Sequence, residues 1–158
     1  MLKLLTTLAK LCAILAGVLM TLITLVTCAS LIGRNTIGVT LMGDYELTAV
    51  TAGAAVALFL PWCQLKRGNI IVDFFTAKAP DRVNAGLDRL AALLLAVVMF
   101  VLTWRTTVGG MNAHASQTTT MMLGFPEWVV YAAMVPALAL TGLIALAQAL
   151  VGDLEASV

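Results

Sequence analysis

The sequence predicts an all-α integral membrane protein with four transmembrane helices, and with short amphipathic interfacial helices in the loop between helices two and three. Hydrophobic residues make up 61% of the 158-residue chain. Four apolar runs are each long enough to cross a hydrocarbon core of about 30 Å. Because backbone N–H and C=O groups need internal partners in lipid, such runs must be helices. We expect a single four-helix membrane domain over residues 1–158, with approximate spans 11–32, 45–65, 87–106 and 128–150.

Three of the predicted helices carry small residues at four-residue spacing. The positions are Ala13 and Gly17 in helix one, Ala49, Gly53 and Ala57 in helix two, and Ala137, Thr141 and Ala145 in helix four. Such stripes let helix backbones approach closely in lipid. Two interpretations stay open, because the stripes serve equally for packing within the four-helix unit and for docking to another membrane subunit.

The loop between the second and third spans has an apolar pattern of its own. Its apolar residues recur at the spacing of one helix face: Ile70, Ile71, Phe74 and Phe75, and after Pro80 also Val83, Leu87 and Leu90. This pattern predicts two short amphipathic helices lying flat at the interface, with Phe74 and Phe75 as anchors. An ordinary connector anchored by its aromatic residues is the alternative.

The ends of the third and fourth spans carry tryptophan. The third span ends near Trp104, and the fourth begins at Trp128, so we expect both side chains to anchor their helices at the membrane interface. Pro126 suits the first turn of a helix, and Glu127 complements its positive end. The polar loop of residues 107–127 connects the two spans.

Basic residues are divided unevenly between the two sides of the predicted domain. One side holds Lys3, Lys10, Lys66, Arg67, Lys78, Arg82 and Arg89, whereas the other holds only Arg34 and Arg105. Short cytoplasmic loops carry an excess of Lys and Arg. We therefore expect both termini and the loop 66–86 to be cytoplasmic, and the loops 33–44 and 107–127 to lie outside.

The central parts of the four predicted spans contain no charged residue and no histidine. This argues against a proton relay or a self-contained secondary transporter, which need such groups inside the membrane. The single histidine, His114, falls in a loop, which argues against a haem carrier. We expect no catalytic, cofactor-binding or metal-binding site in this chain. Three cysteines are expected to be non-catalytic thiols: Cys12, Cys28 and Cys63.

Ionisable residues gather instead at the outer helix ends. They are Arg34, Asp44, Glu46, Arg105 and Glu127. We hypothesise that Glu46 pairs with Arg34 or Arg105 and so fixes two helix ends against each other. Separate snorkelling of each side chain to water is the alternative.

Four sequence segments, read together, resemble a known family. They are Gly43-Asp44-Tyr45-Glu46-Leu47, Leu60-Pro61-Trp62-Cys63-Gln64, Arg67 to Phe75, and Gly124-Phe125-Pro126-Glu127-Trp128. Their order, the four helices and the chain length resemble the small membrane subunit (DctQ-like, Q subunit) of tripartite ATP-independent periplasmic (TRAP) transporters. The most specific part of the resemblance is the block from Gly43 to Asp73.

The resemblance implies a supporting role in a sodium-driven transporter of organic acids in the bacterial cytoplasmic (inner) membrane. In that family, a periplasmic substrate-binding protein delivers the substrate, and a large multi-helix membrane subunit holds the substrate and sodium sites. The small subunit scaffolds the large one and helps dock the periplasmic protein. Seven residues match recurring polar positions and are read as structural or interface residues: Asp44, Glu46, Gln64, Arg67, Asn69, Asp73 and Glu127.

Two other classes of protein stay open from the sequence. A homo-oligomeric channel would line its pore with the small-residue faces, although no helix shows a continuous polar face. A membrane-bound assembly or regulatory protein would use the segment from Ile70 to Phe75 as a docking helix.

Overall fold

The described residues of the chain fold as four long helices. The computed structural model describes residues 2–36, 38, 42–68 and 80–151. In these ranges it contains α1 (Leu2–Thr36), α2 (Asp44–Leu65), α3 (Asp81–Ala115) and α4 (Trp128–Val151), and no strand. All four helices are long and apolar enough to cross a membrane. The predicted all-α, four-span membrane fold is confirmed.

The third helix is longer at both ends than the sequence predicts. It begins at Asp81, so Val83, Leu87 and Leu90 belong to its first turns and form no separate interfacial helix. Pro80 precedes it in an extended conformation. The other expected interfacial segment, from Ile70 to Phe75, lies outside the described residues.

At its other end α3 continues past the expected boundary at residue 106 to Ala115. It runs through Gly109 and Gly110, although glycine inside a helix costs about 1 kcal/mol relative to alanine. The reason lies in α4, because the Tyr131 ring packs directly on both glycines. A Cβ at Gly110 would lie only 2.8 Å from the Tyr131 Cβ. The close packing of Tyr131 offsets the poor helix propensity of the pair.

The four helices form an open row rather than a closed bundle. α1 packs on α2, α2 packs on α4, and α4 packs on α3, while α1 touches α4 only marginally. α4 is therefore an inner helix, with 39% of its most apolar window buried, whereas the same share is 6% for α3. α1 and α3 are the two edges of the row, and most of their apolar surface is left for lipid or for another protein.

The core joins α1, α2 and α4 and combines large aliphatic side chains with buried alanines. One cluster joins Leu5 and Ala9 of α1 to Leu65 of α2 and to Leu140 and Ile144 of α4. A second cluster contains three fully buried alanines, Ala16, Ala55 and Ala137. Their short side chains allow the close helix approach that the sequence predicts for small-residue stripes.

Candidate functional site

The polar residues of α2 hold its first turn to the loop between α3 and α4. The Glu46 carboxylate accepts hydrogen bonds from the Met122 N–H, at 3.0 Å to Oε1 and 3.1 Å to Oε2. It also accepts one from the Leu123 N–H at 3.1 Å. A charged acceptor makes these bonds stronger than neutral ones. The side chain of Glu46 thus clamps the turn of residues 120–124 onto the start of α2.

The clamp depends on a close approach at Gly43. This residue precedes α2 with φ +81°, in the left-handed region that suits glycine. The Leu123 side chain packs onto it so tightly that a Cβ at Gly43 would lie 2.6 Å from the Leu123 Cγ. The turn itself is closed by a hydrogen bond from the Gly124 N–H to the Thr120 carbonyl at 3.1 Å.

This arrangement differs from the ion pair expected for Glu46. In the described part of the chain, neither Arg34 nor Arg105 forms a salt bridge with it, and its oxygens are occupied by amides of the 120–124 turn. The reason is the route of the loop. From the end of α3 the loop reaches the first turn of α2, where the backbone N–H groups of Met122 and Leu123 donate to the carboxylate. Arg34 is exposed in the last turn of α1.

Two further contacts join α1 to α2 near the same end. The buried Ser30 hydroxyl donates a hydrogen bond of 2.6 Å to the Asp44 carboxylate. One turn further along, the hydroxyl oxygens of Thr27 and Thr48 lie 3.3 Å apart. Asp44, which the resemblance indicates as a structural residue, therefore ties the first turn of α2 to the last turns of α1.

A pair of glutamines locks α2 to α4 at the opposite end. The Gln64 Nε2 donates to the Gln148 Oε1 at 2.7 Å, and the Gln148 Nε2 donates to the Gln64 carbonyl at 2.9 Å. Both side chains are buried. Sequence reasoning singled out Gln64 but missed Gln148. The signal was present, because an amide in an otherwise apolar span usually bonds to another helix.

The end of α2 is closed by Arg67 and Gly68. Arg67 has φ +47°, and the N–H groups of Arg67 and Gly68 donate to the carbonyls of Gln64 (3.1 Å) and Cys63 (2.9 Å). This is the Schellman arrangement, usually built with glycine at the position that Arg67 holds. The Arg67 guanidinium lies 4.0 Å from the Asp88 carboxylate of α3, with both side chains substantially exposed.

The start of α4 is set against the end of α3. The Trp128 ring meets the His114 ring edge to face, with centroids 5.4 Å apart. The Glu127 N–H donates to the Thr118 carbonyl at 3.1 Å. His114 is thus a packing partner of Trp128. The remaining polar and anchoring residues of the prediction, Asn69, Asp73, Phe74 and Phe75, lie outside the described residues.

The small-residue stripes divide between two roles. Buried positions that pack within the row are Ala57, Ala137, Thr141 and Ala145. Ala49 and Gly53 are exposed, and Ala13 and Gly17 are half-buried. A Cβ at either glycine would meet nothing within 4 Å. The stripe of α4 therefore serves internal packing, whereas Ala49 and Gly53 of α2 lie exposed on the surface of the chain.

Contacts between helices also show which residues of neighbouring helices lie at the same level along the helix axes. Since Gln64 lies beside Gln148, Trp62 is level with residue 146 of the parallel helix α4. Trp128 is then about 27 Å away at about 1.5 Å per residue. That separation is close to the thickness of a hydrocarbon core, about 30 Å. Because tryptophan is enriched at membrane interfaces, we infer that Trp62 and Trp128 lie near two opposite interfaces.

Trp104 and Arg105 lie between these two levels. α3 contacts α4 at Tyr131 through Gly109 and Gly110, and at Gly142 through Met99 and Phe100. Arg105 is thus level with Pro136, about 12 Å from the Trp128 level and about 15 Å from the Trp62 level. α3 continues for ten residues beyond Arg105, so Trp104 and Arg105 lie farther from the end of their helix than the sequence predicts. That Trp104 anchors α3 at the membrane interface stays a prediction.

Together, these features define a multi-pass helical membrane protein whose buried polar groups hold its own helices together. The buried polar side chains of the described residues are Ser30, Gln64, Thr141 and Gln148. Each is hydrogen-bonded within the chain. Among the described residues, no three His, Cys, Asp or Glu side chains are grouped closely enough to hold a metal ion.

The chain belongs to the DctQ family, the DctQ component of the tripartite ATP-independent periplasmic transporters, whose family model matches residues 23–155. It is thus a small permease subunit of a TRAP transporter, as the resemblance indicated. No curated protein and no solved structure matches the chain.

Proposed function

We propose that this chain is the non-catalytic scaffold subunit of a sodium-driven transporter for organic acids, carboxylates such as dicarboxylates or sugar acids. In this proposal it enlarges and supports the large multi-helix TRAP membrane subunit, which holds the sodium and substrate sites. It also helps to dock the periplasmic substrate-binding protein. The observation that carries the proposal is the open row of helices in a member of this transporter family.

The open row supports a scaffold in two ways. Its edge helices expose long apolar surfaces that another membrane protein would cover, for example Leu94, Val98 and Val101 of α3. Its buried polar side chains are already hydrogen-bonded within the chain, and the Gln64–Gln148 pair joins two helices. In this proposal the chain provides a binding surface for other subunits, and the large subunit binds the substrate.

The distribution of basic residues supports an orientation. With both termini in the cytoplasm of a bacterial inner membrane, the Glu46 clamp and the 120–124 turn face the periplasm. That turn presents Met121 and Met122, which are 100% and 73% exposed. Methionine side chains adapt to varied partner surfaces, so this turn is our candidate contact for the periplasmic protein.

The direct test is purification of the tagged chain from its native host in a mild detergent, followed by mass spectrometry of what accompanies it. We expect a large polytopic membrane protein in a ratio near one to one. Recovery of the chain alone, as a defined homo-oligomer, would overturn the proposal and favour a channel. The substrate and sodium dependence are then measured on the reconstituted complex, with uptake of labelled dicarboxylates and sugar acids.

A further inference from the structure

Arg105 is a charged side chain inside a membrane-spanning helix, ten residues before the helix ends at Ala115. It lies about halfway between the levels of Trp62 and Trp128, which are about 27 Å apart. The packing of Tyr131 on Gly110 at one side of this level, and of Phe100 beside Gly142 at the other, fixes the position. A guanidinium at this depth needs an anionic or strongly polar partner.

The described part of this chain supplies no carboxylate for it. Arg105 is exposed, and no described Asp or Glu lies within salt-bridge distance. Glu46, the nearest candidate by sequence reasoning, is occupied by the Met122 and Leu123 amides. α3 is also an edge helix, and Arg105 lies on the side opposite to Ala96, which is buried.

Snorkelling to the interface is hindered by the direction of the helix. Side chains of an α-helix leave the backbone tilted toward its N-terminus. For Arg105 the nearer helix end is the C-terminal one, at Ala115, ten residues and about 15 Å away. The side chain therefore starts out pointing away from the closer interface.

We propose that Arg105 forms an ion pair with a carboxylate on a helix of the large membrane subunit, and that this helix packs on the exposed face of α3. The inference rests on the proposed scaffold function and names the surface and the chemistry of its main contact. Leu94, Val98 and Val101 share this face with Arg105 and are each about half exposed. They provide the apolar surround that a desolvated ion pair requires, and the charge selects an acidic partner helix.

The experiment compares three variants of the tagged full-length chain in its native host. Arg105→Leu removes the charge, and Arg105→Lys keeps it. Arg89→Leu is the matched control, because Arg89 is exposed on the same helix but close to its polar start. Leucine at the membrane centre favours insertion, so a defect of Arg105→Leu is not a failure to insert.

We expect the large subunit recovered per tagged chain to fall at least about tenfold for Arg105→Leu, as for a desolvated pair with one partner removed. Recovery should stay within about threefold of wild type for Arg105→Lys, and should be unchanged for Arg89→Leu. A photo-crosslinker at Val101 should capture the large subunit, whereas one at Leu22, on exposed α1, should not.

Two results would overturn the inference. If all variants retain the large subunit equally, Arg105 does not bind it. Loss of an anionic lipid from Arg105→Leu in native mass spectrometry would then assign the arginine to a lipid phosphate. If the wild-type chain brings down no large membrane protein, the scaffold function fails together with the inference, so the two failures are distinguishable.

Discussion

The carboxylate of Glu46 accepts a hydrogen bond of 3.0 Å from the backbone N–H of Met122, which is 76 residues away in the sequence. The contact fastens the loop that follows α3 to the first turn of α2, although α2 and α3 are not neighbours in the row. One side chain thereby connects the two halves of the chain on the side that we assign to the periplasm.

Replacing Glu46 with Gln should loosen this loop. Glutamine keeps one carbonyl acceptor but loses the charge and the second oxygen, so the bonds to Met122 and Leu123 weaken. We expect a lower unfolding temperature in detergent and faster hydrogen exchange at both amides. Tyr45→Phe is the control, since Tyr45 is 83% exposed. Unchanged exchange at Met122 and Leu123 would contradict the clamp.

The Gln64–Gln148 pair should behave as a coupled unit. Gln148→Leu leaves the Gln64 amide buried without its acceptor, and Gln64→Leu has the converse effect. The double variant removes both polar groups and should regain part of the loss. Double-mutant cycles between polar residues in membrane helices give about 0.6 kcal/mol on average and about 1.7 kcal/mol at most. Additive effects in unfolding titrations would show that the two amides act independently.

Two glycines distinguish the outer surface of the chain from its interior. A side chain at Gly53 meets nothing in this chain, whereas a Cβ at Gly110 would lie 2.8 Å from the Tyr131 Cβ. Gly53→Leu should leave the stability of the isolated chain unchanged and reduce recovery of the intact complex. Gly110→Leu should destabilise the chain itself by about 1–3 kcal/mol, as overpacking does. Full recovery of the complex with Gly53→Leu would show that this part of α2 is not an interface.

Gly43→Ala should disturb the clamp through two separable effects. One is a left-handed conformation that costs a non-glycine residue about 1–2 kcal/mol, and the other is the contact of the new methyl group with Leu123. Adding Leu123→Ala should relieve the second effect and leave the first. Thermal unfolding of the two single variants and the double variant separates them. No recovery in the double variant would mean that the conformation alone sets the cost.

The sequence was sufficient to predict the four helices, because apolar runs of this length must be helical in lipid. It was insufficient for the end of α3. In the sequence, the pair Gly109 and Gly110 predicts a loop. Only the structure shows that Tyr131 packs on both glycines. Amphipathic spacing after Pro80 likewise indicated a separate helix, although the same residues simply begin a longer one.

Polar contacts could be predicted from the sequence only where both partners are polar side chains in otherwise apolar segments. Gln148 could have been paired with Gln64, because both amides stand in apolar surroundings. The partners of Glu46 are backbone N–H groups, which every residue carries and which no sequence pattern marks. The depth of Arg105 depends on how α3 is aligned with α4, and only the contacts of Gly110 and Gly142 with their neighbours fix that alignment.

The two edges of the row differ chemically, so the two sides of the subunit suit different neighbours. Between Leu11 and Gly33 the α1 edge carries no charge, so lipid tails satisfy it fully. In the proposed complex, the α3 edge favours a neighbour that brings an anion, because Arg105 lies on its exposed face. The subunit would then present unlike surfaces on its two sides, one suited to a helix of the large subunit and one suited to lipid.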